Sequence, residues 1–231
     1  MSFSSVIRSR ADLLAYLPVA ATTTAAQVLG HDRAHLVSKM LVAPTLAAGV
    51  AGTRGERCGK RSSTLLVALA GSTVGDWFMY RSSRATGEVS RQQMRRGASA
   101  FGVQQLGLLG LLVHDGARPR PAPSAIAAAV MAGLAVLDSD GGAPDPVLGT
   151  YGLLLGSMSA LAMGEGDSPR AGRAIALGGG LFLLSDAAII VGQQLADTPA
   201  RRAVADAVVL STYTAALALL VHGLREGPEA H

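Results

Sequence analysis

Eight long apolar runs divide this chain, and short polar segments separate them. A helix of about 20 apolar residues is long enough to cross the hydrocarbon core of a bilayer. Eight such helices need roughly 160 residues, so a chain of 231 residues has little left for a soluble domain. We therefore predict an all-α, polytopic membrane helix bundle with about eight transmembrane helices, forming one integral membrane domain over 1–231. The predicted spans are approximately 11–29, 36–53, 64–80, 97–114, 123–138, 147–164, 173–194 and 204–223.

The composition agrees with a membrane protein. Only 16% of the residues are charged, whereas soluble domains carry about 25%. The chain has 28 Gly residues, and small residues let transmembrane helices pack closely. The net charge is +4, with the Arg residues in short gaps between apolar runs. This pattern is typical of cytoplasmic loops that face anionic lipid headgroups. It argues against nucleic acid as a partner.

The distribution of Lys and Arg predicts the orientation of the bundle. With eight spans, both termini lie on one side, and that side carries 11 Lys and Arg residues against eight on the other. The connection that contains Asp138, Asp140 and Asp145 has no basic residue and lies on the other side. Because cytoplasmic loops are enriched in Lys and Arg, we predict a multi-pass protein of the cell membrane with both termini in the cytoplasm.

Three charged side chains stand out within the predicted spans: Lys39, Asp76 and Asp186. A charge in the bilayer costs several kcal/mol unless it is paired or hydrated, so such residues are candidates for function. An ion pair between Lys39 and one of the aspartates would be a purely structural alternative. Polar side chains at similar depth, such as Gln105, Tyr151 and Tyr213, either contribute to a site or hydrogen-bond across helices.

Other patterns that carry chemistry are weak in this sequence. His31 and His35 have the spacing of two metal ligands on one helix face. No third ligand is near them in sequence, so we interpret them as solvated loop residues and predict no metal site. The lone Cys58 lies in a basic loop without an evident catalytic partner, and no Gly-x-Ser-x-Gly motif is present.

A series of short motifs occurs in order on successive predicted spans. They are Gly75-Asp76, Arg96-Gly97-x3-Phe101-x3-Gln105, Tyr151-x5-Ser157-Met158, Gly179-Gly180-x-Phe182-x2-Ser185-Asp186 and Thr212-Tyr213. In their order and placement they resemble the YhhN family, which includes the lysoplasmalogenases, over about 36–223. The chain differs from residues common in that family at Gln105, Leu108 and Leu217, where His, Tyr and Gln are frequent.

The resemblance implies an eight-helix membrane enzyme that hydrolyses the vinyl-ether bond of a lysoplasmalogen, giving a fatty aldehyde and a glycerophospho-alcohol. It implies Asp76 and Asp186 as the catalytic acid and base. Lys39, Gln105, Tyr151, Ser185 and Tyr213 would contact the lipid substrate or orient water. This chemistry requires no metal or organic cofactor. Two alternatives use the same fold: a non-catalytic lipid-binding or structural membrane protein, and a small proton-coupled transporter.

Overall fold

The structure, a computed structural model, describes residues 3–52, 59–138, 145–167, 170–195 and 197–226. These ranges contain eight α-helices, one short 3₁₀ helix and no strand. The helices are α1 (Phe3–Val28), α2 (Asp32–Gly52), α3 (Gly59–Ser82), α4 (Gly87–His114), α5 (Pro121–Asp138), α6 (Pro146–Gly164), α7 (Arg170–Leu195) and α8 (Pro199–Glu226), with the 3₁₀ turn at Glu165–Asp167. The all-α prediction is confirmed for this part of the chain. Cys58 and Asp140 lie outside the described residues.

Local sequence signals set several helix ends. The Asp145 side chain accepts hydrogen bonds from the backbone N–H groups of Val147 and Leu148 and caps α6, with Pro146 as the first helical residue. A carboxylate there satisfies donors that the helix leaves unpaired. Gly30 has a φ of 72° in the turn between α1 and α2, a conformation that side chains with a Cβ rarely adopt.

Four of the helices are long and apolar enough to cross a membrane: Asp32–Gly52, Pro146–Gly164, Ala171–Gln194 and Pro199–Arg225. The segments Leu13–Val28 and Pro121–Leu137 are apolar but shorter. Large apolar side chains on the outer helix faces are exposed, among them Leu153 at 74% and Leu177 at 62%, while Gln104 and Gln105 are fully buried. An apolar outer surface around a polar interior indicates a membrane protein. That all eight helices cross the membrane stays a prediction.

Helix α8 is the centre of the bundle. It packs against α1, α2, α3, α4 and α7, whereas α5 packs only against α6 and α7 among the described elements. The inner face of α8 contributes Ala216, Leu217, Leu220 and Leu224 to the core, each nearly free of solvent contact. The central position explains why α8 can supply a side chain to polar groups on several neighbouring helices.

The connected helices share a common end, here called the Asp32 end, where α1, α3, α5 and α7 finish and α2, α4, α6 and α8 begin. Four side-chain contacts bring these helix ends together: Asp32 with Arg84, Gln27 with Asp206, Arg95 with Asp145, and Gln194 with Leu137. The opposite end holds a second link, in which Arg61 donates to the carboxylate of Asp115 and to the backbone oxygen of Leu224.

Glycines allow close contact between helices at two places that matter for the site. A Cβ at Gly71 of α3 would lie 2.7 Å from the backbone oxygen of Ala100 on α4. A Cβ at Gly179 of α7 would lie 2.5 Å from the Cβ of Ala162 on α6. Both distances are shorter than real Cβ contacts, so these helix pairs approach as closely as they do only because the residues are glycines.

The structure corrects two predictions. Helix α4 begins at Gly87, ten residues before the predicted span at 97, because the polar segment that contains Arg91, Arg95 and Arg96 is helical and not a loop. His35 is not a solvated loop residue: it lies within α2 and is 5% exposed. Its buried position follows from the start of α2 at Asp32, which turns this side chain towards α1 and α3.

Candidate functional site

The first polar group of the interior is centred on Asp76 of α3, which is 2% exposed. The ammonium of Lys39 on α2 lies 3.4 Å from its Oδ1. The hydroxyl of Tyr213 on α8 donates to its Oδ2 at 2.8 Å, and Ser72 shares a hydrogen bond with that same hydroxyl. Three helices thus converge on one carboxylate, and its negative charge has both a cation and a hydroxyl donor.

The second polar group is centred on Asp186 of α7. The hydroxyl of Tyr151 on α6 donates to Asp186 Oδ2 at 2.6 Å. Asp186 is partly buried, and no Lys, Arg or His of the described residues forms an ion pair with it. The two aspartates therefore differ in one respect that matters for chemistry, since Asp76 has a partner of opposite charge and Asp186 does not.

The ring of Phe101 on α4 connects the two groups. Its centroid lies 6.1 Å from that of Tyr213 and 6.5 Å from that of Tyr151. Phe182 packs on the other side, with its centroid 5.8 Å from that of Tyr213. The two tyrosines that bind the aspartates therefore contact a common aromatic side chain. The prediction that Asp76 and Asp186 open onto one shared cavity stays a prediction.

Gln105 and Ser185, which were also predicted for the site, have different surroundings. Gln105 is fully buried, and its amide makes an electrostatic contact with the Tyr151 hydroxyl but no hydrogen bond of standard geometry. Ser185 is next to Asp186 in sequence, yet its Oγ donates to the backbone oxygen of Val209 on α8 at 3.0 Å. Gln105 therefore joins the Asp186 group, whereas the Ser185 hydroxyl joins α7 to α8.

Both aspartates lie nearer to the Asp32 end than to the opposite end of the bundle. Asp76 is six residues before Ser82, the last residue of α3. Asp186 is nine residues before Leu195, the last residue of α7. At a rise of 1.5 Å per residue, these separations correspond to roughly 9 and 14 Å along the helix axes.

Known protein families include one that matches this chain. The chain matches the YhhN family over residues 34–224, which is most of its length. It belongs to the YhhN family. The match includes all seven residues predicted for the site, from Lys39 to Tyr213. Neither the curated proteins nor the solved structures gave a match to this chain.

Two residues of this YhhN site were not predicted from the sequence. Ser72 precedes Asp76 by four residues, so the helical spacing alone places both on one face of α3. Phe101 was noted as part of a motif, but its contact with both tyrosines depends on how α4 packs against α3 and α6. A Cβ at Gly75 would lie 2.7 Å from the Phe101 ring, so this glycine makes room for it.

No cluster of three or more His, Cys, Asp or Glu side chains within the described ranges has the geometry to hold a metal ion. The side chains at the two groups supply carboxyl, hydroxyl, amide and ammonium groups. An ion-paired carboxylate can accept a proton, and a carboxyl group that has only a hydroxyl donor can deliver one.

Proposed function

We propose that this protein hydrolyses the vinyl-ether bond of lysoplasmalogens, releasing a fatty aldehyde and a glycerophospho-alcohol. Membership of the YhhN family supports the reaction class. The observation that carries the proposal is the difference in charge environment between the two buried aspartates. Hydrolysis of a vinyl ether needs one protonated acid and one carboxylate, and a pair of carboxyl groups in unlike surroundings can supply both.

We assign Asp186 as the acid. Where no cation lies nearby, an ionised carboxylate inside a helix bundle costs more free energy than the neutral carboxyl group. Asp186 has the Tyr151 hydroxyl as its hydrogen-bond partner, which leaves its other oxygen, Oδ1, to carry a proton. In the first step that proton goes to the β-carbon of the vinyl ether, and the π electrons form the new C–H bond. The substrate becomes an oxocarbenium ion.

We assign Asp76 as the base. Lys39 balances the charge of the carboxylate, and Tyr213 and Ser72 fix its direction. In the second step a water oxygen attacks the oxocarbenium carbon, and Asp76 takes the proton that this water loses. In the resulting hemiacetal the C–O bond to the glycerol oxygen breaks as the hydroxyl loses its proton and the glycerol oxygen gains one, which gives aldehyde and alcohol. One water is consumed in each turnover, and Asp186 ends ionised while Asp76 ends protonated.

For the bundle as a whole, we propose that all eight helices cross the cell membrane with both termini in the cytoplasm. The lipid substrate would then reach the site from the membrane, with its headgroup towards the Asp32 end. We assign two groups to contact the polar part of the substrate. They are the ammonium of Lys39, whose side chain is 14% exposed, and the amide of Gln105.

The decisive experiment incubates purified protein in nanodiscs with a lysoplasmalogen and, separately, with an ester lysophospholipid of the same headgroup. We expect aldehyde release from the lysoplasmalogen only, and none from the Asp186→Asn protein. Absence of aldehyde from every lysoplasmalogen tested would contradict the proposal and favour a lipid-binding role. Lipid flux without aldehyde would favour a transporter.

A further inference from the structure

Three pairs of side chains form a row between α2 and α3, from the buried site to the Asp32 end. The first pair is Lys39 with Asp76, at 3.4 Å. In the second, the rings of His35 and Tyr80 stack with centroids 6.2 Å apart and an interplanar angle of 27°. In the third, the Asp32 carboxylate pairs with Arg84, whose guanidinium lies 3.7 Å over the Tyr80 ring.

The row runs from a buried end to an exposed end. The side chain of Asp76 is 2% exposed and that of Asp32 is 71% exposed, with His35 between them at 5%. Asp76, Tyr80 and Arg84 are four residues apart, with Arg84 in the turn after α3, and on α2 His35 precedes Lys39 by four residues. Each member therefore lies one helical turn from the next. The row thus has polar or aromatic side chains on each helical turn between the site and the exposed end of the bundle.

His35 is the member of this row whose imidazole can both take up and release a proton. Its Nδ1 lies 3.0 Å from the backbone oxygen of Thr23 and 3.4 Å from the Thr23 hydroxyl. Both contacts use Nδ1, which leaves Nε2 without a partner among the described residues. A histidine that donates from Nδ1 to a carbonyl has a lone pair on Nε2, and this lone pair can accept a proton.

The charges that act on this ring come from three elements. They are Lys39 on α2, Arg84 in the turn after α3 and Asp206 on α8. Tyr80 on α3 adds an aromatic face, and Thr23 on α1 adds only the backbone and hydroxyl oxygens. The guanidinium of Arg84 has no acceptor, so it does not relay protons. His35 is thus the group placed between Asp76 and the exposed Asp32.

We propose that His35 is a positioning and relay residue that carries the proton of Asp76 to the Asp32 end after each turnover. The inference rests on the proposed function, in which the reaction leaves Asp76 protonated and Asp186 ionised. Lys39, which lies 3.4 Å from Asp76, gives one of its ammonium protons to Nε2 of His35 and takes the Asp76 proton in its place. His35 becomes an imidazolium ion and then releases its proton to solvent. A second proton from solvent returns to Asp186, so that the protons balance over the cycle.

The test is a comparison of His35→Asn with wild type. Asn keeps a donor at the position of Nδ1 and so keeps the bond to the Thr23 carbonyl, but it lacks the proton-accepting Nε2. The ratio kcat/KM covers only the steps up to the first irreversible one, which here is protonation of carbon. We therefore expect kcat to fall about tenfold or more, with KM falling in parallel and kcat/KM little changed.

Two further measurements separate a relay from a structural role. In His35→Ala, added imidazole should raise kcat in proportion to its concentration, because the free base replaces the missing side chain. Ser38→Ala is the matched control, since Ser38 is a buried residue of α2 that bonds only to carbonyl oxygens of its own helix. Its kcat and its imidazole response should equal those of wild type.

The outcomes distinguish the two proposals. An active wild type together with an unchanged kcat in His35→Asn would overturn the relay and leave the hydrolase intact. A parallel fall of kcat and kcat/KM without imidazole rescue would also overturn it, because that result reports a distorted site. A wild type that releases no aldehyde would instead contradict the proposed function itself, and the relay with it.

Discussion

The Tyr151 hydroxyl donates a hydrogen bond of 2.6 Å to Oδ2 of Asp186, joining residues that are 35 positions apart on neighbouring helices. This bond fixes the direction of a partly buried carboxyl that has no ion-pair partner in the described residues. In the proposed reaction Tyr151 would act through the orientation of Asp186, and the two residues are expected to contribute by different amounts.

Replacing Asp186 by Asn should lower aldehyde release by at least about 10²–10⁴-fold, because Asn cannot deliver a proton to carbon. Tyr151→Phe removes one hydrogen bond worth about 0.5–1.5 kcal/mol and should lower the rate by no more than about tenfold. The rate of aldehyde release per folded protein measures both. If Asp186→Asn retains near wild-type turnover, the assignment of Asp186 as the acid is wrong.

The Lys39–Asp76 ion pair predicts a thermal stability that depends on both partners. Asp76→Asn leaves the Lys39 ammonium without its partner, and breaking a buried pair costs about 3–5 kcal/mol. The double variant Asp76→Asn with Lys39→Met removes both charges and should recover most of the lost Tm. Detergent thermal melts measure the stability, and neither variant should release aldehyde. Equal Tm values for the single variant and wild type would show that the pair adds no stability.

Gly179 and Gly180 are adjacent but should respond differently to the same change. In Gly179→Ala the new Cβ meets the Cβ of Ala162 at 2.5 Å, whereas in Gly180→Ala the nearest atom is the Met163 sulfur at 3.8 Å. Overpacking of this kind costs about 1–3 kcal/mol, so Gly179→Ala should lower the Tm and Gly180→Ala should not. Adding Ala162→Gly to Gly179→Ala should restore part of the loss, and no restoration would show that this contact is not the cause.

The ion pair at the start of α6 predicts a pH-dependent stability. The Arg95 guanidinium, which bonds the Asp145 carboxylate, holds the pKa of that carboxyl below its usual range. A carboxyl with a lowered pKa stabilises the fold at pH values above its unfolded pKa, and this stability is lost as the pH falls through the folded value. Asp145→Asn keeps a cap acceptor and removes the charge. The Tm difference from wild type should be small at pH 7 and vanish in acid.

Single-cysteine labelling tests the number and direction of the spans. In a Cys58→Ser background, Ser83→Cys places a thiol between α3 and α4, and Arg118→Cys places one between α4 and α5. With both termini in the cytoplasm, an impermeant maleimide should label the first in intact cells and the second only after permeabilisation. The reverse pattern would invert the orientation, and equal labelling of both would show that α4 does not cross the membrane.

Hydropathy predicted most helices because a lipid-exposed face needs a long apolar run, and α6 matches its predicted span of 147–164 to within one residue. It failed at the start of α4, where Glu88, Arg91 and Arg95 are polar residues of a helix that extends beyond the apolar segment. A hydropathy window detects where a helix can meet lipid, and it does not detect where a water-exposed helix begins.

The site was predictable in part for a similar reason. Asp76 and Asp186 are conspicuous because charged residues are rare in apolar runs. Their partners are not, since Tyr213 is 137 positions from Asp76 and only the packing of α8 against α3 brings them together. The burial of His35 likewise depends on the packing of α1 beside α2, which supplies the Thr23 carbonyl.

The depth of the two carboxyls has a consequence for the supply of lipid. In a bilayer with a hydrocarbon core about 30 Å thick, groups roughly 9–14 Å along their helices from one end lie within the half nearer to that end. With the termini in the cytoplasm, this half is the outer leaflet. The reaction would then draw on one monolayer, and a lysolipid generated in the other would need to cross the bilayer first. Turnover would remove single-chain lipid from that side alone and so alter the lateral pressure balance between the two leaflets.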